Sequence, residues 1–134
     1  MTTEGRQPPG WRSFPPFYAF LGLRLDALAD GVCVVRLPFR PDFGNSRGDV
    51  HGGLVASLLD ITLSQAVRSA HAGSSVATIS LTVNYLSPAK GELVCRGEVS
   101  RRGRTVAFAE GEVRDERGTP VCRASGTYRL LTAK

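Results

Sequence analysis

Gly52-Gly53-Leu54-Val55-Ala56-Ser57-Leu58-Leu59-Asp60-Ile61-Thr62-Leu63-Ser64-Gln65-Ala66-Val67-Arg68-Ser69-Ala70 is the stretch on which the fold turns. Leu54, Val55, Leu58, Leu59, Ile61, Thr62, Ala66 and Val67 recur at helical spacing, and no Gly or Pro interrupts them. The spacing predicts one long helix, on the order of 28 Å at 1.5 Å per residue. Its apolar residues cover more than one stripe, so it must be enclosed by other structure. Ala72-Gly73-Ser74-Ser75 ends it.

Working outward, Leu23 to Ala29 and Val32 to Phe39 read as two strands around Asp30-Gly31, a dipeptide suited to the positive φ angles of a tight hairpin turn. Pro38, Pro41, Gly44 and Gly48 break regular structure after the second strand, so 40–50 is a loop long enough to suspect function. Beyond the helix, Val76 to Leu86, Glu92 to Arg101, Thr105 to Asp115 and Pro120 to Leu131 read as four more strands. In the second of these, Leu93, Cys95 and Val99 alternate with Arg96, Glu98 and Ser100. Short turns separate them, which predicts antiparallel pairing of consecutive strands. The fold class is α+β: a curved antiparallel sheet with one buried helix against a face. Residues 1–16, rich in Pro and Gly, are expected to form a loose arm, and 17–134 a single domain that opens with a short apolar helix at Phe17-Tyr18-Ala19-Phe20-Leu21.

The 134 residues, 42% of them hydrophobic, suffice for one core without metal or disulfide staples. Cys33, Cys95 and Cys122 are an odd, widely spaced set in apolar strands and read as buried free thiols. With only His51 and His71 beside them, no ligand-like cluster forms, and no metal is predicted. No apolar run approaches the roughly 20 residues of a membrane span. The first residues match neither a secretory signal nor a transit peptide, so a cytoplasmic location with no membrane partner is the expectation. The net charge of +5 suits an anionic ligand and suits plain solubility equally. Its arginines are spread from Arg6 to Arg129 without aromatic interleaving, which argues against nucleic acid.

The chemistry concentrates in Asn45-Ser46-Arg47-Gly48-Asp49-Val50-His51-Gly52-Gly53 and Asp60. The first N–H groups of a helix have no internal partners and lie at its positive end, so Gly52 and Gly53 can aim donors at a developing oxyanion. A tight entry turn would need the same glycines. Asp60 lies eight residues inside the helix, where it cannot cap, and reads as a nucleophile or general base. A solvent-facing or salt-bridged Asp on a polar strip with Ser57 and Ser64 is the competing reading. Eight helical residues separate Gly52 and Asp60 by about 12 Å along the axis, too far for both to engage one carbonyl. If both act on one bond they come from different protomers, which predicts a two-fold dimer with two equivalent sites. His51 is assigned a positioning role, and Asn45 can hold a water or a carbonyl oxygen. His71 is expected to meet the helix C-terminus.

Asn45, Gly48, His51-Gly52-Gly53 and Asp60, at this spacing, resemble the hotdog-fold thioesterases, in particular the PaaI-type branch of the 4-hydroxybenzoyl-CoA thioesterase superfamily. The strand from Thr78 to Ala89 is also similar to a sheet segment of that family. The resemblance covers about residues 17 to 131 and implies a hotdog fold, a sheet wrapped around a central helix. It implies hydrolysis of an acyl-CoA to free acid and coenzyme A, with no cofactor. It assigns the oxyanion N–H to Gly52, water activation or direct attack to Asp60 of the other subunit, and placement of the water to Thr78. A homotetramer built from two dimers is implied too. The CoA phosphates need cations, and Arg101, Arg102 and Arg104 are the densest candidates, with Lys90 and Arg47 as substitutes. Phe17, Tyr18, Phe20, Leu58 and Ile61 are candidate walls for the acyl group and suit an aryl or a medium-chain acyl group alike. The alternative is a hotdog protein that binds acyl-CoA without turnover.

Overall fold

The computed structural model describes residues 8–131. In chain order the elements are α1 (Pro16–Leu21), β1 (Arg24–Ala29), β2 (Val32–Leu37), a 3-10 turn at Pro41–Phe43, α2 (Gly52–Ala70), β3 (Ser75–Tyr85), β4 (Leu93–Arg101), β5 (Val106–Arg114) and β6 (Pro120–Leu131). Every strand pair is antiparallel, and the sheet runs β1-β2-β4-β5-β6-β3. Helix α2 packs against all six strands, the arrangement that the resemblance implied. The turn between β1 and β2 is the one expected, with Asp30 and Gly31 both at positive φ, 51° and 89°.

Close approach of helix and sheet has a local cause. Cys33, Gly97, Gly111 and Ala124 are successive cross-strand partners, so a row of small residues crosses the sheet under α2. A Cβ on Gly97 or Gly111 would meet Leu63 Cδ2 at 2.8 or 3.0 Å. The absence of those side chains lets Leu63 sink fully into the core. Leu58, Leu59 and Val67 are fully enclosed as well.

One pairing differs from the sequence expectation. β3 does not lie beside β4; it pairs with β6 at the end of the sheet. The step from β3 back to β4 crosses three inter-strand spacings, about 14 Å. Residues 86–92 span it easily, since seven residues reach about 23 Å when extended. Backbone bonds hold this crossing under the end of the sheet: Leu86 N–H donates to Val121 O at 2.8 Å, and Ala89 O accepts from Val50 N–H at 2.8 Å. A short, Pro-containing connection therefore does not make a hairpin here.

The expected arm also differs within the described residues. Trp11 is 4% exposed and stacks at tilted angles on Phe14 and Tyr18. The amide of Gln65, buried in α2, accepts from Arg12 N–H at 2.9 Å and donates to Ser13 O at 3.1 Å. An enclosed amide must find partners, and this one finds them in the arm. Residues 11–14 are thus bound to the core, residues 8–10 are exposed, and residues 1–7 lie outside the described residues. Among the described residues no helix is long and apolar enough to cross a membrane.

Candidate active site

The loop before α2 is built by Asn45. Its side-chain Oδ1 accepts from Arg47 N–H at 2.9 Å and Asp49 N–H at 3.2 Å, and its backbone N–H donates to Asp49 O at 2.7 Å. Because two N–H donors converge on Oδ1, the other end of the amide is the NH2, and that group has no acceptor among the described residues. Val50 and His51 are then held by backbone bonds to Ala89 and Phe43.

His51 caps the helix. Its Nδ1 accepts from Gly53 N–H at 3.0 Å, so the ring hydrogen sits on Nε2. The two glycines therefore differ: the Gly53 donor is taken, whereas Gly52 N–H has no acceptor among the described residues. Tyr85, which sequence reasoning missed, lies over this point. Its hydroxyl donates to Gly52 O at 2.6 Å, and a Cβ on Gly52 would meet its ring at 3.3 Å. The turn at 51–53 divides two grooves of about 380 Å³ each. One, the polar groove, is mixed but the more polar of the two, with Asn45, Arg47, Asp49 and Ser87 beside Val50, Val55 and Leu86. The other is largely apolar and includes Phe17, Phe20, Phe43, His51, Gly53 and Leu54.

Asp60 is half-buried on α2. Its Oδ1 accepts from Thr78 Oγ1 at 2.8 Å and from Tyr128 Oη at 3.0 Å, while Oδ2 has no donor among the described residues. Among the described residues it has no salt bridge, so the salt-bridged form of the competing reading does not hold; the carboxylate is partly open to solvent. Burial, and next the Asp60 carboxylate, push the Tyr128 hydroxyl far above the usual phenol range, so it remains a donor.

Other predicted residues fall into two groups. Arg47 and Lys90 stand at the polar groove, 3.3 and 3.9 Å from the Asp49 carboxylate. The Arg101-Arg102-Arg104 turn does not join them within the chain. Arg102 Nη2 is bound to Asp30 O and Oδ1, both at 3.2 Å, and the adjoining Gly31 N–H donates to Ser69 Oγ at the other end of α2. Phe17 and Phe20 line the apolar groove, 48% and 65% exposed. Tyr18, Leu58 and Ile61 are instead core residues. His71 Nδ1 meets Val67 O at 3.0 Å, as its place at the helix end suggested. Cys33, Cys95 and Cys122 are free and buried, and burial pushes the Cys95 thiol up to about 12. Such thiols are poor nucleophiles at neutral pH.

In chemical terms the chain offers an unpaired helix-terminal N–H and a carboxylate with one free oxygen, the elements of acyl-transfer hydrolysis. The family model described as the thioesterase superfamily matches residues 47–122, which contain both. The chain belongs to the thioesterase superfamily, and its class of chemistry is thioester hydrolysis. It is 37% identical over 125 residues to a Halobacterium salinarum protein carrying a provisional esterase name, covering 84% of this chain and 83% of that one. It is 31% identical over 88 residues to acyl-coenzyme A thioesterase 13 of Homo sapiens, covering 64% of this chain and 63% of that one. The solved PaaI protein from the phenylacetic acid degradation operon of E. coli superposes with a TM-score of 0.84 over 90% of this chain and 87% of that one. At 20% identity that likeness shows the shared hotdog fold.

Proposed function

We propose that the protein hydrolyses acyl-CoA thioesters at two equivalent sites, each shared between the protomers of a two-fold dimer. The observation that carries this reading is the pair of unspent groups on one helix, Gly52 N–H and Asp60 Oδ2, held about 12 Å apart along the axis. One scissile carbonyl cannot reach both in a single chain, whereas Gly52 of one protomer can face Asp60 of its partner. The unpaired edge of β3 supports the dimer: it carries Thr78, with Ile79 and Tyr85 more than half exposed, and an open edge invites a second strand. Pairs of such dimers would give the tetramer that the resemblance implies.

In this reading the thioester carbonyl lies over the 51–53 turn. Gly52 N–H and the Asn45 amide donate to its oxygen, which gains charge as the tetrahedral intermediate forms. Asp60 Oδ2 takes a proton from water as the water oxygen bonds to the carbonyl carbon. Collapse breaks the C–S bond, and the departing thiolate recovers that proton as the CoA thiol. Direct attack by Asp60 would give an anhydride that water then opens, with the same products. The acyl group occupies the apolar groove at Phe17, Phe20 and Leu54, which suits aryl and medium chains. The pantetheine arm and phosphates follow the polar groove, where Arg47 and Lys90, exposed and paired only with Asp49, can turn to the phosphates; Arg101, Arg102 and Arg104 lie at the other end of α2 and can serve the phosphates only from a different protomer.

The test is release of CoA thiol from aryl-, short-, medium- and long-chain acyl-CoAs by wild type and Asp60→Asn. Turnover that falls by about three orders of magnitude in the variant, with acyl-CoA still bound, is the expected result. Wild-type turnover in Asp60→Asn would remove Asp60 from the chemistry. Binding without turnover by the wild type across the panel would make the protein an acyl-CoA carrier.

A further inference from the structure

The site holds a second anchor for the carboxylate that the sequence did not suggest. Tyr128 is fully buried, and its ring packs among Leu63, Val67, Ala107 and Ala109, all apolar. Its hydroxyl emerges from this cluster only to reach Asp60, donating to Oδ1 at 3.0 Å and lying 3.5 Å from the backbone carbonyl of the same residue. Two features of β3 and β6 exist to make that contact.

The first is a bulge. Leu81, Val83 and Tyr85 pair with Gly126, Ala124 and Cys122, and strict alternation would turn Thr78 to the opposite face. The register shifts between Thr78 and Ser80, Ile79 becomes the extra residue, and Thr78 is brought directly opposite Tyr128 on the helix side. Both hydroxyls then converge on one oxygen, with Thr78 Oγ1 at 2.8 Å. The second is Gly126, where a Cβ would stand 2.6 Å from the Tyr128 ring. The missing side chain is what lets the ring fold back over β6 toward α2.

We infer that Tyr128 is a positioning residue for the hydrolysis: with Thr78 it immobilises Asp60 through Oδ1 and so presents Oδ2, alone, to the reacting water or carbonyl. The inference rests on the reading of Asp60 given above. A buried tyrosine needs some acceptor, but a purely structural hydroxyl gains nothing from sharing its acceptor oxygen with a solvent-exposed threonine across a bulge. A carboxylate that must keep one oxygen free and aimed does gain from it, because an ordered base loses no rotamer freedom on the way to the transition state.

Tyr128→Phe removes only the hydroxyl, and Thr78→Val and Thr78→Ser separate loss from rescue on the other donor. Steady-state kinetics on the best acyl-CoA, with thermal melting of every variant and Asp60→Asn measured alongside, give the answer. Tyr128→Phe is expected to lower kcat about fivefold to tenfold with KM unchanged. Thr78→Val should do the same, and Thr78→Ser should restore it. The double variant Tyr128→Phe/Thr78→Val should lose more than the product of the single effects, since either hydroxyl alone still holds Oδ1. Wild-type kcat in Tyr128→Phe while Asp60→Asn is inactive overturns the positioning role and leaves the catalytic reading standing. A fall in kcat that merely tracks lost folded protein, with no excess in the double variant, overturns it too. Full activity in Asp60→Asn removes the acid itself, and the positioning role with it.

Discussion

The two halves of α2 treat their polar groups in opposite ways. From Ile61 onward the uncharged polar side chains are spent, Thr62 on Leu58 O, Ser64 on Ile61 O, Gln65 on residues 12 and 13, Ser69 on Ala66 O and Gly31 N–H, with His71 on Val67 O just past the end, while the Arg68 guanidinium has no partner among the described residues. Between Gly52 and Asp60, capacity is left over at the helix-terminal N–H of Gly52 and at one carboxylate oxygen of Asp60. Thr62 and Gln65 are fully buried and must be partnered, whereas Gly52 and Asp60 are half-buried and can meet a substrate. A polar group with all its partners stabilises the fold, and a polar group held in place with one bond unmade is available for a substrate.

The largest break in that contrast should come from Gly52→Pro. Proline is compatible with the first position of a helix, and His51 before it already has the extended conformation, φ −57° and ψ 135°, that proline prefers in its predecessor. The substitution therefore deletes the N–H while sparing the helix, although the Tyr85 ring must shift by a few tenths of an ångström. A fall in kcat of about 10²- to 10³-fold with near-wild-type melting is expected, the usual cost of one oxyanion donor. Gln65→Ala probes the other half. It strands Arg12 N–H and Ser13 O and opens a cavity, so stability should fall by about 2–3 kcal/mol in urea denaturation. Turnover of the protein that remains folded should be unchanged. Reversal of these two outcomes, with catalysis lost from Gln65 and stability lost from Gly52, would dissolve the distinction.

Sequence distance decided how much of this was legible in the sequence. The long helix, the Asp30-Gly31 turn and the strand set are local patterns, and each appears where it was read, strand limits shifting by one or two residues; the Asn45–Asp60 constellation was legible as a motif because it too is local. The place of β3 was not legible, because its partner β6 lies beyond β4 and β5, and the short connection at 86–92 has the composition of a hairpin. Partners of the site were hidden for the same reason: Tyr85 meets Gly52 across 33 residues and Tyr128 meets Asp60 across 68. Thr78 entered through the family likeness, while the bulge that turns it inward carries no Gly or Pro to announce it. Charge density on the arginine turn says nothing about existing partners, and the Arg102 pair with Asp30 was likewise out of sight across 72 residues.

The central claim is that one site takes its oxyanion donor and its acid from different protomers. Differently tagged Gly52→Pro and Asp60→Asn chains, co-expressed and purified as mixed dimers, test it directly. Each mixed dimer would contain one site with both groups intact and one with both damaged, so CoA release at about half the wild-type rate is predicted, although each parent is nearly inactive. Mixed dimers as inactive as their parents would contradict a shared site.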